Sequence, residues 1–95
     1  MYVRVVRFTD VKPDKIAELK ARIDESDGPP PGVNTTGLQV LLDQGAGTAV
    51  VLQHFATAED MESGARVFEA MDASDTPGTR ASIDMCEIAI DVQAP

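Results

Sequence analysis

Two charged side chains, Arg7 and Glu87, interrupt segments that are otherwise apolar and rich in strand-forming residues. Side chains alternate between the two faces of a strand, so these odd-numbered positions would share one face of a sheet and could pair across neighbouring strands. The pair could hold an anion or an enolate while Glu87 serves as a general base. The alternative is a buried salt bridge that holds a dimer together. We therefore predict that Arg7 and Glu87 are the catalytic candidates.

The same alternation predicts the wall of a ligand pocket. Four further odd-numbered residues share the predicted face: Gln39, Gln53, Phe55 and Met85. An apolar wall with a few converging polar groups is what a small-molecule site requires. The two glutamines could orient a carbonyl group of a ligand, or they could satisfy each other across an interface. The even-numbered strand residues are more apolar as a set, and we expect them to pack against helices.

Three other residues have chemically useful side chains. His54 is the only histidine and could act as a general base, but its even number places it with the helix-facing set, where a capped imidazole is the alternative. Asn34 lies in a loop rich in proline and glycine; the loop could cover a pocket, or Asn34 could serve only to form a turn. Cys86 is the only cysteine and is expected to be a small core residue. One histidine and one cysteine do not make a metal site, so we predict no bound metal.

Hydrophobic periodicity predicts the elements that would position these residues. In chain order, they are a strand at 2–9, a helix at 13–26, strands at 37–43 and 48–55, a helix that begins after a cap at Thr57, and a strand at 80–92. This is the order of a ferredoxin-like βαββαβ fold, of class α+β, with an antiparallel sheet. The last strand is long for so small a domain, which favours pairing with a second copy in a homodimer.

Composition limits the choice of partners. The chain has 95 residues, which predicts a single domain over 1–95, and its net charge of −8 repels phosphate backbones and anionic lipids. We therefore expect neither nucleic acid nor a membrane as a partner. The chain begins directly in a strand pattern, contains no apolar run of membrane-spanning length, and has a single cysteine. These features favour a cytoplasmic protein.

Two segments of the chain resemble a known superfamily. The residues Val5–Pro13 and Gln53–Met61, together with the long last strand, resemble the dimeric α/β-barrel superfamily, nearest its antibiotic-biosynthesis-monooxygenase branch. The resemblance implies a barrel closed by two ferredoxin-like subunits and a cavity for a small molecule. It also implies a reaction without flavin or metal, in which a deprotonated substrate held by Arg7 reduces oxygen directly, so we predict no cofactor.

The chain also departs from that branch. Phe55 stands where the branch often carries a tryptophan, Gly64 stands where a histidine commonly follows on the next helix, and the chain has no tryptophan, the residue on which the haem-degrading relatives rely. The functional prediction is a small monooxygenase-like enzyme that acts on an apolar molecule. The alternatives are a non-catalytic module that binds a small ligand and a purely structural dimer.

Overall fold

The computed structural model describes residues 1–26, 28–71 and 76–94, and these form the predicted ferredoxin-like α+β fold. The elements are β1 (Tyr2–Thr9), α1 (Pro13–Glu25), β2 (Gly37–Asp43), β3 (Thr48–Phe55), α2 (Ala58–Glu69) and β4 (Thr79–Glu87). The four strands form one sheet in the order β2-β3-β1-β4, and all neighbouring strands are antiparallel. No helix in these residues is long and apolar enough to cross a membrane.

The helix starts follow local sequence rules. Pro13 opens α1, where its missing N–H is not needed, and Asp14 lies in the first turn beside the positive end of the helix dipole. The Thr57 hydroxyl caps α2 by accepting a hydrogen bond of 3.1 Å from the backbone N–H of Asp60. Both helices thus begin where the sequence indicates. Helix α1 connects β1 to β2 across β3, and α2 connects β3 to β4 across β1.

Strand β4 ends at Glu87, and the prediction that it continues to Val92 was wrong. The backbone N–H of Ile88 still donates a hydrogen bond of 2.9 Å to the carbonyl of Met1. Beyond that point β1 has no residue left to pair with, so the ladder stops because its partner strand begins at Tyr2. The apolar tail that follows is left in solvent, with Ile90 85% and Val92 83% exposed.

The prediction that the even-numbered residues of every strand face the helices was right for β1 and β2 and wrong for β3 and β4. Register explains the error, because Arg4 pairs with Gln53 across β1 and β3 and with Met85 across β1 and β4. Directly opposed residues share a face, so an even position on β1 shares its face with odd positions on β3 and β4. We call the face toward the helices the helix side, and the other face the open face.

Two buried clusters fill the helix side. The first cluster contains Val6, Phe8, Val11, Ala49 and Val51. The second contains Val33, Phe55 and Met61, with half-buried residues of α2 packed on it. Helix α1, by contrast, buries none of its residues, and a shallow apolar groove separates it from β2. The layer between the helices and the sheet is therefore tightly packed under α2 and loosely packed under α1.

Gly64 explains the close approach of α2 to the sheet. A Cβ atom at this position would lie 2.8 Å from Cε1 and 2.9 Å from Cζ of Phe55. These distances are well below the 3.5–4.0 Å of ordinary carbon contacts. An internal glycine destabilises a helix, but a larger residue at this position would collide with the Phe55 ring. That ring is 0% exposed and occupies the space of a side chain.

Candidate functional site

The predicted pair of Arg7 and Glu87 is not formed. Arg7 pairs with Ser82 on the open face, near one end of β1. Glu87 pairs with Tyr2 at the other end of that strand, and its odd number places it on the helix side. The two residues therefore lie on opposite faces of the sheet as well as far apart along it, and no clamp that uses both can form within one chain.

The buried cation on the helix side is Arg4, which is only 3% exposed. Its Nη1 donates a hydrogen bond of 2.9 Å to Oε1 of Gln53, the residue directly opposite on β3. Its guanidinium carbon lies 5.5 Å from the centroid of the Phe68 ring, at a distance typical of a cation–π contact. Strand β3 and helix α2 thus hold the guanidinium from two sides.

The electrostatic surroundings of Arg4 only partly compensate its burial. Loss of hydration lowers the pKa of Arg4 from its usual value; the charge of Glu69 opposes this shift and the charge of Arg80 adds to it. An arginine stays protonated in proteins despite such shifts. The helix side therefore contains a buried positive charge whose hydration has been lost.

The Nε atom of Arg4 is buried and has no hydrogen-bond partner in the described residues. Leaving a buried donor unpaired costs about 1–3 kcal/mol, and more when the group is charged. Gln53 occupies Nη1 only. The guanidinium can therefore still donate through Nε to an oxygen atom of a ligand, and such a bond would recover the cost of the unpaired donor.

Two predicted site residues lie beside Arg4 on β4. Met85 is directly opposite Arg4, and Glu87 is the next residue along β4 on the same face. A diagonal pair of this kind is separated by roughly 7–8 Å between backbone positions. Met85 is 43% exposed and Glu87 is exposed in the part of the chain that the structure describes. A cation and a carboxylate thus share the helix side, with Arg4 in the place that the sequence analysis assigned to Arg7.

The remaining candidates are distributed over both faces. His54 lies on the open face, contrary to the prediction, and its Nε2 is 3.0 Å from Oε1 of Gln39. Gln39 and Gln53 lie on opposite faces, so they cannot satisfy each other within one chain. Asn34 donates a hydrogen bond of 3.2 Å to Oδ2 of Asp60, which ties the proline-rich loop to the start of α2.

Phe55 and Cys86 also differ from their predicted environments. Phe55, predicted to line the pocket, is fully buried against Gly64 and belongs to the core. Cys86, predicted to be a core residue, is exposed on the open face. Both corrections have the same cause, since each residue lies on one of the two strands whose faces were exchanged.

The sequence analysis did not identify Arg4, although the sequence contains a signal for it. Arg4 is the charged residue on the face of β1 that carries Tyr2, Val6 and Phe8. A charge on the apolar face of a central strand is expensive unless the protein uses it or pairs it. That reasoning identifies Arg4 without any knowledge of strand pairing.

Comparisons with known proteins support the fold. The haem degrader MhuD from Mycobacterium tuberculosis, in a structure with two haems bound in its active site, matches with a TM-score of 0.64 and 20% identity, covering 98% of this chain and 100% of MhuD. A mutant of MhuD with two manganese protoporphyrin IX molecules bound per active site matches with a TM-score of 0.61 and 18% identity, over 99% and 100% of the two chains. No protein-family model and no curated protein matches the chain. At this level of identity the likeness supports the fold alone.

The described residues of this chain do not fit haem at the positions that the sequence analysis compared with the haem-degrading relatives. Gly64 lies where the sequence analysis expects the family's helix histidine, and the Phe55 ring leaves no space for a side chain there. His54 lies on the open face, and its Nε2 is hydrogen-bonded to Oε1 of Gln39. Among residues 1–26, 28–71 and 76–94, no cluster of three or more His, Cys, Asp or Glu side chains could hold a metal ion. The chemistry of the site is therefore best derived from Arg4 and its neighbours.

Proposed function

We propose that the protein binds a small apolar molecule with an anionic oxygen, and that it oxidises this molecule in a monooxygenase-like reaction that needs no cofactor. The observation that carries the proposal is the Arg4 guanidinium, which is buried yet has an unpaired Nε donor. An unpaired buried donor lowers the stability of the fold unless something completes its hydrogen bonds. The likeness to ligand-binding proteins of the same fold supports this proposal.

The reaction can be written with two roles for the protein. Glu87 takes a proton from a methylene group activated by a conjugated carbonyl, and Arg4 stabilises the enolate oxygen that results. The enolate carbon then supplies two electrons to dioxygen and, with one proton, forms a hydroperoxide. The remaining hydrogen of that carbon leaves as a proton, and its bonding electrons supply the other two as the O–O bond breaks. One oxygen atom becomes a new carbonyl of the product and the other leaves as water, so that SH2 and O2 give SO and H2O. The substrate is oxidised and dioxygen is reduced.

A non-catalytic binding module is the second candidate function. It needs Arg4 but not Glu87, and the exposure of Glu87 favours it, because a base in contact with water is not held in a closed site. The proposal of a purely structural dimer, by contrast, gives no role to the unpaired donor of Arg4.

We further propose that the protein is a homodimer, a single domain over residues 1–95, and cytoplasmic. The exposed apolar tail with Ile90 and Val92 supports the dimer, since a second copy would cover it. Leu41, which is 50% exposed on the open face, adds apolar area to be covered. Light scattering at micromolar concentration should give about twice the 10.1 kDa of one chain. A monomer under these conditions would contradict the dimer.

Oxygen consumption with a panel of phenolic and polyketide-like ketones tests the enzyme. Glu87→Gln should abolish turnover of any active compound, and its matched control is Glu62→Gln, an exposed glutamate on α2 that should leave the rate unchanged. If Glu87→Gln keeps the full rate, the assigned base is wrong. If the wild-type protein binds these compounds but consumes no oxygen, the binding module replaces the enzyme.

A further inference from the structure

We infer that the ligand is a planar, conjugated monoanion whose carboxylate or enolate oxygen binds Nε of Arg4 while its flat body lies between Phe68 and Met85. This inference deepens the proposed function, because it states the charge, the shape and the position of the ligand at that site. It does not depend on whether the ligand is oxidised.

The charge of the ligand follows from the groups that face Arg4. Gln53 is neutral and occupies Nη1, while the carboxylate of Glu69 already supplies part of the compensation and Arg80 adds positive charge. Glu87 lies on the same side of the sheet, but its carboxylate is exposed, so water and salt screen its charge at Arg4. One more negative charge would neutralise the buried guanidinium. A dianion such as phosphate would bring excess negative charge into an apolar layer, where uncompensated charge is costly. The site therefore favours a monoanion.

The shape of the ligand follows from the side chains around the guanidinium. The Phe68 ring lies over Arg4 with its centroid 5.5 Å from the guanidinium carbon, and Met85 is directly opposite Arg4 on β4. Aromatic rings pack well against another ring and against a methionine sulfur. A flat conjugated body gains both contacts, whereas a branched aliphatic body of the same size gains less.

The route by which the ligand enters follows from which sides of the layer between the helices and the sheet are filled by side chains. Phe55 and Gly64 are in contact, so the layer is filled on the side of β3. On the side of β4 the helix face is uncovered, and Met85 and Glu87 are exposed. Phe68 is half-buried in the last turn of α2 and lies over Arg4, so the proposal requires its side chain to move aside when a ligand reaches Arg4 from β4. The ligand thus enters beside β4 and replaces the shielding that Phe68 gives.

Calorimetric titration of the full chain with three probes tests the inference. The probes are 1-naphthoate, the neutral 1-naphthamide and inorganic phosphate. We expect saturable binding of 1-naphthoate, and binding of the other two that is weaker by at least about tenfold, because the amide oxygen accepts without a negative charge and phosphate brings charge in excess. Arg4→Met should weaken 1-naphthoate binding by at least about tenfold as well.

Arg7→Met is the matched control, since it removes the same charge from the same strand but on the open face. It should leave the affinity for 1-naphthoate within about twofold of the wild-type value, because exposed charges at such distances are screened by salt. If Arg4→Met fails to fold, Arg4→Lys keeps the charge and removes Nε, and it should show the same loss of affinity.

Three results would overturn the inference: no binding of 1-naphthoate at millimolar concentration, equal losses in the Arg4 and Arg7 variants, or equal affinity for the acid and the amide. Phosphate binding as tight as that of 1-naphthoate would overturn the ligand class. Tight and Arg4-dependent binding without oxygen consumption supports the inference while it refutes the proposed oxidation. The two proposals can therefore fail separately.

Discussion

Replacement of Gly64 by alanine tests the packing of α2 on the sheet. The new methyl group would lie 2.8 Å from the Phe55 ring and 3.6 Å from Cγ1 of Val33. Relief of such overpacking costs about 1–3 kcal/mol because a fully buried ring has to move. Alanine in place of glycine in a helix returns about 1 kcal/mol. We expect Gly64→Ala to lower the free energy of unfolding by about 1 kcal/mol.

Urea denaturation followed by circular dichroism measures this effect, and a melting curve should show a decrease of about 4–8 °C for each kcal/mol in a domain of this size. The control is the same substitution in a Phe55→Leu background, where the ring edge is gone. There only the helix preference of alanine remains, so Gly64→Ala should stabilise the protein by up to about 1 kcal/mol. Stabilisation by Gly64→Ala in the wild-type chain would refute the packing argument.

Three further changes test other parts of the structure. Thr57→Ala removes the cap of α2 and should cost about 0.5–2 kcal/mol in urea denaturation. Arg4→Met alone should destabilise the chain because it orphans the Gln53 carbonyl, whereas Arg4→Met with Gln53→Leu should recover or exceed wild-type stability. Serine at both Ile90 and Val92 should weaken dimerisation in sedimentation equilibrium and leave the circular dichroism spectrum unchanged, because the tail lies outside the sheet.

The sequence predicts the elements of this fold well because local rules set them. Turn glycines and apolar periodicity bound β1, β2 and β3 at the predicted residues, and α1 begins at the predicted Pro13. The end of β4 could not be predicted in this way. The end of β4 depends on where β1 begins, although the two sites are far apart in the chain. A strand can form ladder hydrogen bonds only where its partner strand has residues to pair with.

The candidate site could be predicted only in part, for a related reason. Side-chain alternation sorts the residues of one strand into two faces, but the register between strands decides which faces coincide. The pairing of Arg4 with Gln53 shows that even and odd positions meet here. Glu87 was therefore rightly grouped with Gln53 and Met85 but wrongly grouped with Arg7. The register between β1 and β4 cannot be read from the sequence, and it places Arg7 and Glu87 on opposite faces of the sheet.

The packing at the two ends of the helix side indicates where a ligand could bind. Under the first turns of α2, Phe55 fills the space beside Gly64, so no larger side chain fits there. Beside β4 the described residues leave Met85 and Glu87 exposed, and the neighbouring Arg4 guanidinium has an unpaired Nε donor. We therefore expect a ligand to use the second place, because there it can bury apolar surface and form a hydrogen bond that the described residues leave unmade. The contact at Gly64 and the buried cation at Arg4 thus agree with the proposed small ligand that carries a single negative charge.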